Sequence, residues 1–456
     1  MIPDMLELDT LRALVETGDV DTVLVVFPDL QGRLLGKRVT GRYFFDRVLE
    51  EGVDACDYLL TVDADMNVLP GFEYANWDRG YGDLHCRPDL STLRRIPWLA
   101  GTALVICDLH DVEGGAPVEV SPRQILRRQV ARARAAGYEV MTASELEFLL
   151  FRESYEEAAT RGHTSLTLQN DHVLDYHILQ TSKDEYLLRE IRRGMDAAGV
   201  PVEFSKGESE AGQHEVNLRY ADALTMADRH TVYKNGVKEI VSAHGQSATF
   251  MAKYDMARVG SSCHVHSSVW TATGATSLMP ADDGPDQLSE VARRWLGGLL
   301  AGARELCWCY APYVNSYKRY QPGSWAPTAV GWGLDNRTLG FRVVGHGPGR
   351  RVECRIPGAD ANPYLTFAAI IASGLHGIEQ QLDPGPPFRG NGYEADLPRI
   401  PSTLVESIEL FERSELARDA FGEDVHAHLL NLARQEWRQF NAHVTDWERR
   451  RGFEQL

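Results

Sequence analysis

Ala143-Ser144-Glu145-Leu146-Glu147-Phe148-Leu149-Leu150 alternates polar and apolar side chains before turning wholly apolar. Read as a strand, it puts Glu145 and Glu147 on one face and Leu146 and Phe148 on the other. Two carboxylates side by side on such a strand repel each other unless a cation lies between them. For this pair alone, the alternative is an edge strand with a solvated face.

Three further stretches work the same way. Glu208-Ser209-Glu210-Ala211-Gly212-Gln213-His214-Glu215 carries a turn glycine that leads into a strand over His214 to Tyr220, with Glu208 and Glu215 able to point into one site. Glu210 reads equally well as a solvated loop carboxylate. Gly260-Ser261-Ser262-Cys263-His264-Val265-His266-Ser267-Ser268 puts His264, His266 and Ser268 on one strand face. Arg351-Val352-Glu353-Cys354-Arg355 alternates again, with two arginines flanking a carboxylate; its bland alternative is a surface ion-pair ladder.

Four strands thus offer carboxylates and imidazoles with no thiolate pattern, a donor set that suits Mg²⁺ or Mn²⁺ better than structural zinc. Paired metals of this kind commonly clamp a transferring phosphoryl group. The matching positive charge lies between Asn315 and Arg355, where Lys318, Arg319, Arg337, Arg342, Arg350, Arg351 and Arg355 sit in a stretch rich in glycine and proline. No Gly-x4-Gly-Lys pattern occurs, so a nucleotide site here has another design.

The chain has 456 residues and a formal charge of -18, with 43% hydrophobic residues. That is enough apolar material for a large core, which excludes disorder as the main state. The acidic balance excludes nucleic acid as a partner, because that affinity comes from Lys and Arg neutralising phosphates. The start, Met1-Ile2-Pro3-Asp4-Met5-Leu6-Glu7, is acidic, so no signal peptide is expected. The apolar run Tyr364 to Leu375 is shorter than the ~18 residues of a membrane span, and a cytoplasmic protein is expected. The seven scattered cysteines are expected to be reduced and buried.

Along the chain, Leu8, Leu11, Leu14 and Val15 predict a helix ending at Gly18, followed by strands over Thr22–Phe27 and Arg33–Val39, a short helix near Phe44–Leu49 and a strand over Thr102–Asp108. Gly114-Gly115-Ala116-Pro117 reads as a linker, which gives domains over 1–113 and 118–456. Ser121-Pro122 reads as the cap and first residue of a helix, with another over Ala221–Val241 and a mostly helical C-terminal region. The irregular alternation of elements predicts an α+β fold rather than a doubly wound sheet.

In their order and spacing these motifs resemble the type I glutamine synthetase superfamily over nearly the whole chain. The resemblance also takes in Phe27-Pro28-Asp29-Leu30-Gln31-Gly32, Asn315-Ser316-Tyr317-Lys318-Arg319, Asn336-Arg337 and Ala361-Asn362-Pro363-Tyr364. It implies an N-terminal β-grasp domain, a catalytic domain with a curved antiparallel sheet, and a dodecamer of two hexameric rings with active sites between subunits. Carried over, it makes Glu147, Glu208 and Glu215 ligands of a first metal, and Glu145, His264 and Glu353 ligands of a second. Glu203, His266, Ser268 and Arg351 fall where the family holds ATP, and Arg337 and Arg342 where it grips the phosphates. Arg319 and Arg355 fall where it holds the carboxylates of glutamate, with Gly260 in the same pocket. Asp29 falls where a neighbouring subunit contributes an acid to the ammonium pocket.

Two departures set the functional expectation. Trp325 stands where glutamine synthetases carry a Glu that takes a proton from ammonium, and Val259 replaces an Asn that contacts glutamate. An indole neither accepts a proton nor binds ammonium as a carboxylate does, but it can pack on an alkyl chain or offer a cation–π face. The chain is therefore expected to be an ATP-dependent ligase, with two or more Mg²⁺ or Mn²⁺ per subunit, joining the γ-carboxylate of glutamate to an organic primary amine through a γ-glutamyl phosphate. It resembles the branch of γ-glutamylpolyamine and γ-glutamylethanolamide synthetases, and the apolar wall favours ethanolamine. The alternatives are a glutamine synthetase using ammonium and a non-catalytic member of the fold. Tyr393 lies near where some type I enzymes are adenylylated, and reads here as a packed loop residue.

Overall fold

The computed structural model describes residues 5–112, 115–283 and 286–456. Of the segments discussed above, Met1 to Asp4 and Gly114 of the expected linker lie outside these residues.

Helix α1 (Leu8–Thr17) buries Leu11 and ends at Gly18, whose φ of 82° closes the last turn. Six strands follow: β1 (Thr22–Pro28), β2 (Leu34–Thr40), β3 (Val53–Cys56), β4 (Asp83–Pro88), β5 (Arg94–Arg95) and β6 (Thr102–Asp111). They form one sheet in the order β2-β1-β6-β4-β3, with β5 on β6. The hairpin β1/β2 is antiparallel, while β1 runs parallel to β6 in the middle of the sheet. The helix expected near Phe44 is a π-helical turn, Phe44–Val48.

Helix α2 (Pro122–Ala135) opens with Pro122 in its first turn, where a missing N–H costs nothing. The Ser121 side chain makes no capping hydrogen bond, so the proline alone marks the start. The second sheet is built on β7 (Tyr138–Phe151), with β8 (Val202–Gly207), β9 (Gln213–Leu218), β10 (Ala221–Asp222), β11 (Ser247–Thr249), β12 (Cys263–Thr271), β13 (Trp332–Leu334), β14 (Phe341–Val344) and β15 (Arg351–Cys354). Its order is β13-β14-β15-β12-β7-β9-β8, with β10 and β11 also on β7. The expected antiparallel sheet is present, with one parallel pair at its edge, β13 beside β14. A three-residue strand carries no direction in its sequence pattern.

Behind the sheet lie α3 (Glu185–Ala197), α4 (Ala223–Ala243) and α5 (Pro363–Glu379). The apolar run that is too short for a membrane is α5, buried on almost every side as the central helix of the core. Asn362 caps α5 by accepting from Tyr364 N, and its Nδ2 donates to the Asp29 and Leu30 carbonyls, tying the β1/β2 turn to the second layer. No helix among the described residues is long and apolar enough to cross a membrane.

The two sheets are also joined by charge. Arg123, on the first turn of α2, donates to Asp89 and Asp228 at 2.8 Å and pairs with Asp108. Arg127, one turn on, meets Asp89 and Asp108 at 3.0 and 2.7 Å. Tyr364 donates to Asp228 at 2.7 Å. All seven cysteines are free, and six are buried. Cys56, at the end of the outer strand β3, is exposed, contrary to expectation.

Candidate active site

Strand register carries the polar motifs into one row across the second sheet. Lys206 pairs opposite Glu215, and Glu215 opposite Glu147. Glu145 faces His264, His266 faces Glu353, and Glu353 faces Arg342. The period-2 alternation of each strand keeps Leu146, Val216, Val265 and Val352 in the core beneath this row.

The row floors a cleft of about 780 Å³, whose walls include Glu145, Glu147, Glu208, Glu215, His264 and Glu353. Gly260, Arg319, Trp325, Arg337, Arg342 and Arg355 line the same cleft. A second hollow of about 380 Å³ shares Glu145 as a wall and is lined by Glu203, His266, Ser268 and Arg351. The residues carried over for the metals and the amino acid thus meet in one cavity together with Arg337 and Arg342, carried over for the phosphates, and the other residues carried over for the nucleotide meet in its neighbour.

Donor atoms of Glu145, His264 and Glu353 lie within 4.8 Å of one another, as do those of Glu147, Glu215 and His264. The second group is one short of the set expected for the first metal. Glu208 stands outside it, its carboxylate held by the Lys206 ammonium.

The carboxylates of the site divide by partner. Burial, and then the charge of Glu208, push Glu147 up to about 8. Among the described residues, Glu147 accepts only from neutral donors: Ser262 N at 2.7 Å, Ser262 Oγ at 2.6 Å and Gln213 Nε2 at 3.2 Å. Glu215 is raised well above the usual carboxylate range by burial and by Glu145 and Glu208, with Asn217 Nδ2 donating at 2.9 Å. Burial also opposes ionisation of Glu145, but hydrogen bonds from His264 and His266 prevail and hold it low. Against the same burial, Arg355 and then His264 hold Glu353 down to about 2. His264 is itself lowered to about 4 by burial and Arg355, and so is a neutral imidazole at pH 7. Arg351 Nε donates to His266 Nδ1 at 3.1 Å, so Nε2 carries the ring proton and donates to Glu145 at 2.8 Å.

Divalent cations fit this donor set. Buried carboxyls that face one another with only neutral donors must hold a proton or a cation, and hard oxygens with one neutral imidazole suit Mg²⁺ or Mn²⁺.

The positive side of the cleft is placed by close packing. Arg319 is buried, its guanidinium donating to the Arg355 and Ile356 carbonyls. A Cβ at Gly260 would lie 2.7 Å from Arg319 Cγ and 2.6 Å from the Ala252 carbonyl, so only glycine lets Arg319 pass. Arg342 bridges Asp335 (2.9 Å) and Glu353 (2.8 Å), and Arg355 binds Glu353 at 2.5 Å. Arg337 is exposed at the cleft wall. Trp325, 57% exposed, has φ 64°, a left-handed backbone that costs a bulky residue about 1–3 kcal/mol. Its carbonyl accepts from Arg355 at 3.4 Å. Tyr393 donates to the Ala326 carbonyl at 3.0 Å, next to this loop.

Two further acidic residues are each held by backbone N–H groups and an arginine. Asp29 is fully buried in its own turn, where its oxygens accept from Gln31 N, Arg33 N and Arg33 Nε at 2.8–3.0 Å. Glu210 is not a solvated loop acid; it holds Val259 N at 3.1 Å and Arg258 at 3.2 Å, fixing the loop before Gly260. The residues that orient Glu147, Gln213 and Ser262, lie inside stretches quoted above for other residues. Lys206 and Tyr176 gave no signal, one being a lone lysine in a strand and the other a loop aromatic.

Residues 119–452 match the family model described as "Glutamine synthetase, catalytic domain". A gamma-glutamylethanolamide synthetase of Streptomyces coelicolor is 51% identical over 99% of this chain and 96% of its own. A glutamate–isopropylamine ligase of a Pseudomonas species is 38% identical over 96% of each chain. Among solved structures, GmaS without ligand superposes with a TM-score of 0.85 at 30% identity, covering 99% of this chain and all of that one; a GmaS/ADP complex superposes equally well at 29%. With the site's geometry and these whole-length likenesses together, this chain belongs to the glutamine synthetase family.

Proposed function

We propose that the protein is a carbon–nitrogen ligase that uses ATP to join the γ-carboxylate of glutamate to an organic primary amine through a γ-glutamyl phosphate. The observation that carries this reading is a tryptophan, Trp325, in the wall of a cleft whose floor is a metal-type carboxylate row and whose far side is arginine. The names of the two curated relatives, an ethanolamide synthetase and an isopropylamine ligase, support it.

Glutamate would lie with its carboxylates toward Arg319 and Arg355, and ATP in the hollow of Glu203, His266, Ser268 and Arg351. Glu147, Glu208 and Glu215, and Glu145, His264 and Glu353, would hold two or more Mg²⁺ or Mn²⁺ ions, which would supply charge neutralisation for phosphoryl transfer. Arg337 and Arg342 take up charge on the transferring group, a contribution of several kcal/mol when the donors are preorganised. The amine nitrogen then attacks the acyl carbon, the C–O bond to phosphate breaks, and the leaving phosphate takes the proton that the nitrogen gives up. Trp325 and Arg337 also wall an outer hollow of about 580 Å³ lined by Leu334, Asp335, Pro387, Phe388 and Arg389, in which Asp335 is already paired with Arg342. Apolar contacts beside two guanidiniums favour an amine with a short neutral tail, such as ethanolamine, over a polycation. A cytoplasmic dodecamer of two hexameric rings belongs to the same proposal.

Phosphate release is measured with glutamate, ATP, Mg²⁺ and a panel of amines. Turnover with ethanolamine or another monoamine is expected; turnover with ammonium alone overturns the reading. Trp325→Glu should raise ammonium use, and no change would favour an ammonium-using enzyme.

A further inference from the structure

The ammonium of Lys206 sits inside the carboxylate row. Lys206 pairs opposite Glu215 in the β8/β9 ladder and reaches back two residues to bind Glu208. Its Nζ also lies 4.6 Å from the centre of the Tyr176 ring, on the cleft wall. Glu208 is the one expected ligand of the first metal that stands apart from the others, and it is the one this cation holds.

We propose that Lys206 is a tethered counter-ion of the first metal site. It neutralises Glu208 when no metal is bound and gives that carboxylate up when a divalent ion arrives. The inference rests on the metal-site reading above. The ammonium on Glu208 Oε1 draws on charge that a divalent ion would otherwise use, and a unit positive charge a few ångströms from the ion opposes its binding. The Tyr176 ring makes the exchange feasible, because its π face leaves the displaced ammonium with a partner inside the cleft. Lys206 is then a positioning residue that sets metal affinity without touching substrate.

The test is Mn²⁺ binding to the full-length protein without ATP or glutamate, followed by calorimetry and by the loss of the free-Mn²⁺ electron paramagnetic signal. Lys206→Gln should bind its first Mn²⁺ on the order of tenfold more tightly than the wild type. Lys206→Arg, which keeps the charge, should stay within about twofold of it. Unchanged or weaker binding in Lys206→Gln, or equal tightening in Lys206→Arg, overturns the proposal. A wild type that binds no Mn²⁺ overturns the metal-site reading itself, so the two failures are distinct. Should Lys206→Gln not fold, the wild type still decides. After reductive ¹³C-methylation of the lysines, the resonance missing from Lys206→Arg must shift with Mg²⁺ and saturate with metal binding, and a resonance that stays still refutes the exchange.

Discussion

Two buried charge clusters in this molecule are built on opposite principles. Around Arg123, each carboxylate meets a guanidinium: Asp89 and Asp108 each contact both Arg123 and Arg127, and Asp228 contacts Arg123 and the Tyr364 hydroxyl. In the cleft, among the described residues, Glu147 and Glu215 meet only serine, glutamine and asparagine donors and are driven toward the protonated form. A cluster whose charges are matched from within has no use for a ligand and fastens the two sheets together. One left unmatched on one side is a site waiting for a cation. Burial does not separate structural from functional charge here; internal compensation does.

The contrast is most exposed at Arg123. Arg123→Met leaves a buried Asp228 and two part-buried aspartates short of their partner, and removing one member of such a network costs about 3–5 kcal/mol. A large fall in the midpoint of chemical denaturation is expected, together with loosening between the two sheets seen by hydrogen exchange. A midpoint near that of the wild type would show that the cluster is not what holds the halves together.

In the cleft the sign reverses. Glu215→Gln removes one of the repelling carboxyls while keeping an oxygen for Asn217 Nδ2, so the metal-free protein should become more stable. Ligase activity should fall by at least about a hundredfold, the upper range for losing a group that merely supports a metal ligand. Thermal melts in chelator and amine-dependent phosphate release report the two effects. A variant that loses both stability and activity would place Glu215 with the matched cluster.

Much of the cleft is legible in the amino-acid sequence, because a period-2 strand pattern determines which side chains share a face. Glu145 with Glu147, and His264 with His266, follow from that alone. Register does not, so nothing in the pattern shows that Glu215 lands opposite Glu147 rather than two residues away. The matched cluster is invisible there, since Arg123 on an amphipathic helix reads as a solvated charge until its partners arrive from three other segments. Asp29 is a related case: a motif gives a residue's place in the chain, whereas its hydrogen-bond partners depend on how its turn folds. The antiparallel core of the second sheet follows from the resemblance, but the direction of β13 rests on three residues and their neighbours.

The smallest effect tests the same contrast through pH. Glu147 is raised to about 8 and Glu215 well above its usual value of 4.5, so between those limits the folded chain holds protons that the unfolded chain has released. Stability of the metal-free protein must then fall as pH rises through that range. His264, lowered to about 4 from 6.5, acts in the opposite sense, but only below 6.5, where the unfolded imidazole still takes up a proton. Glu353, held at about 2, acts lower still. The clean window is therefore about pH 6.5 to 8, where the two raised carboxyls are the cleft groups still exchanging protons. Denaturation midpoints in chelator should decline across it, and saturating Mg²⁺ should flatten the decline, because a bound cation takes the place of those protons. Glu215→Gln should therefore reduce the decline, whereas Arg127→Gln, which weakens the Arg123 cluster outside the cleft, should lower the whole curve. A slope that survives in Glu215→Gln with Mg²⁺ present would mean that the unmatched charge lies somewhere other than the cleft.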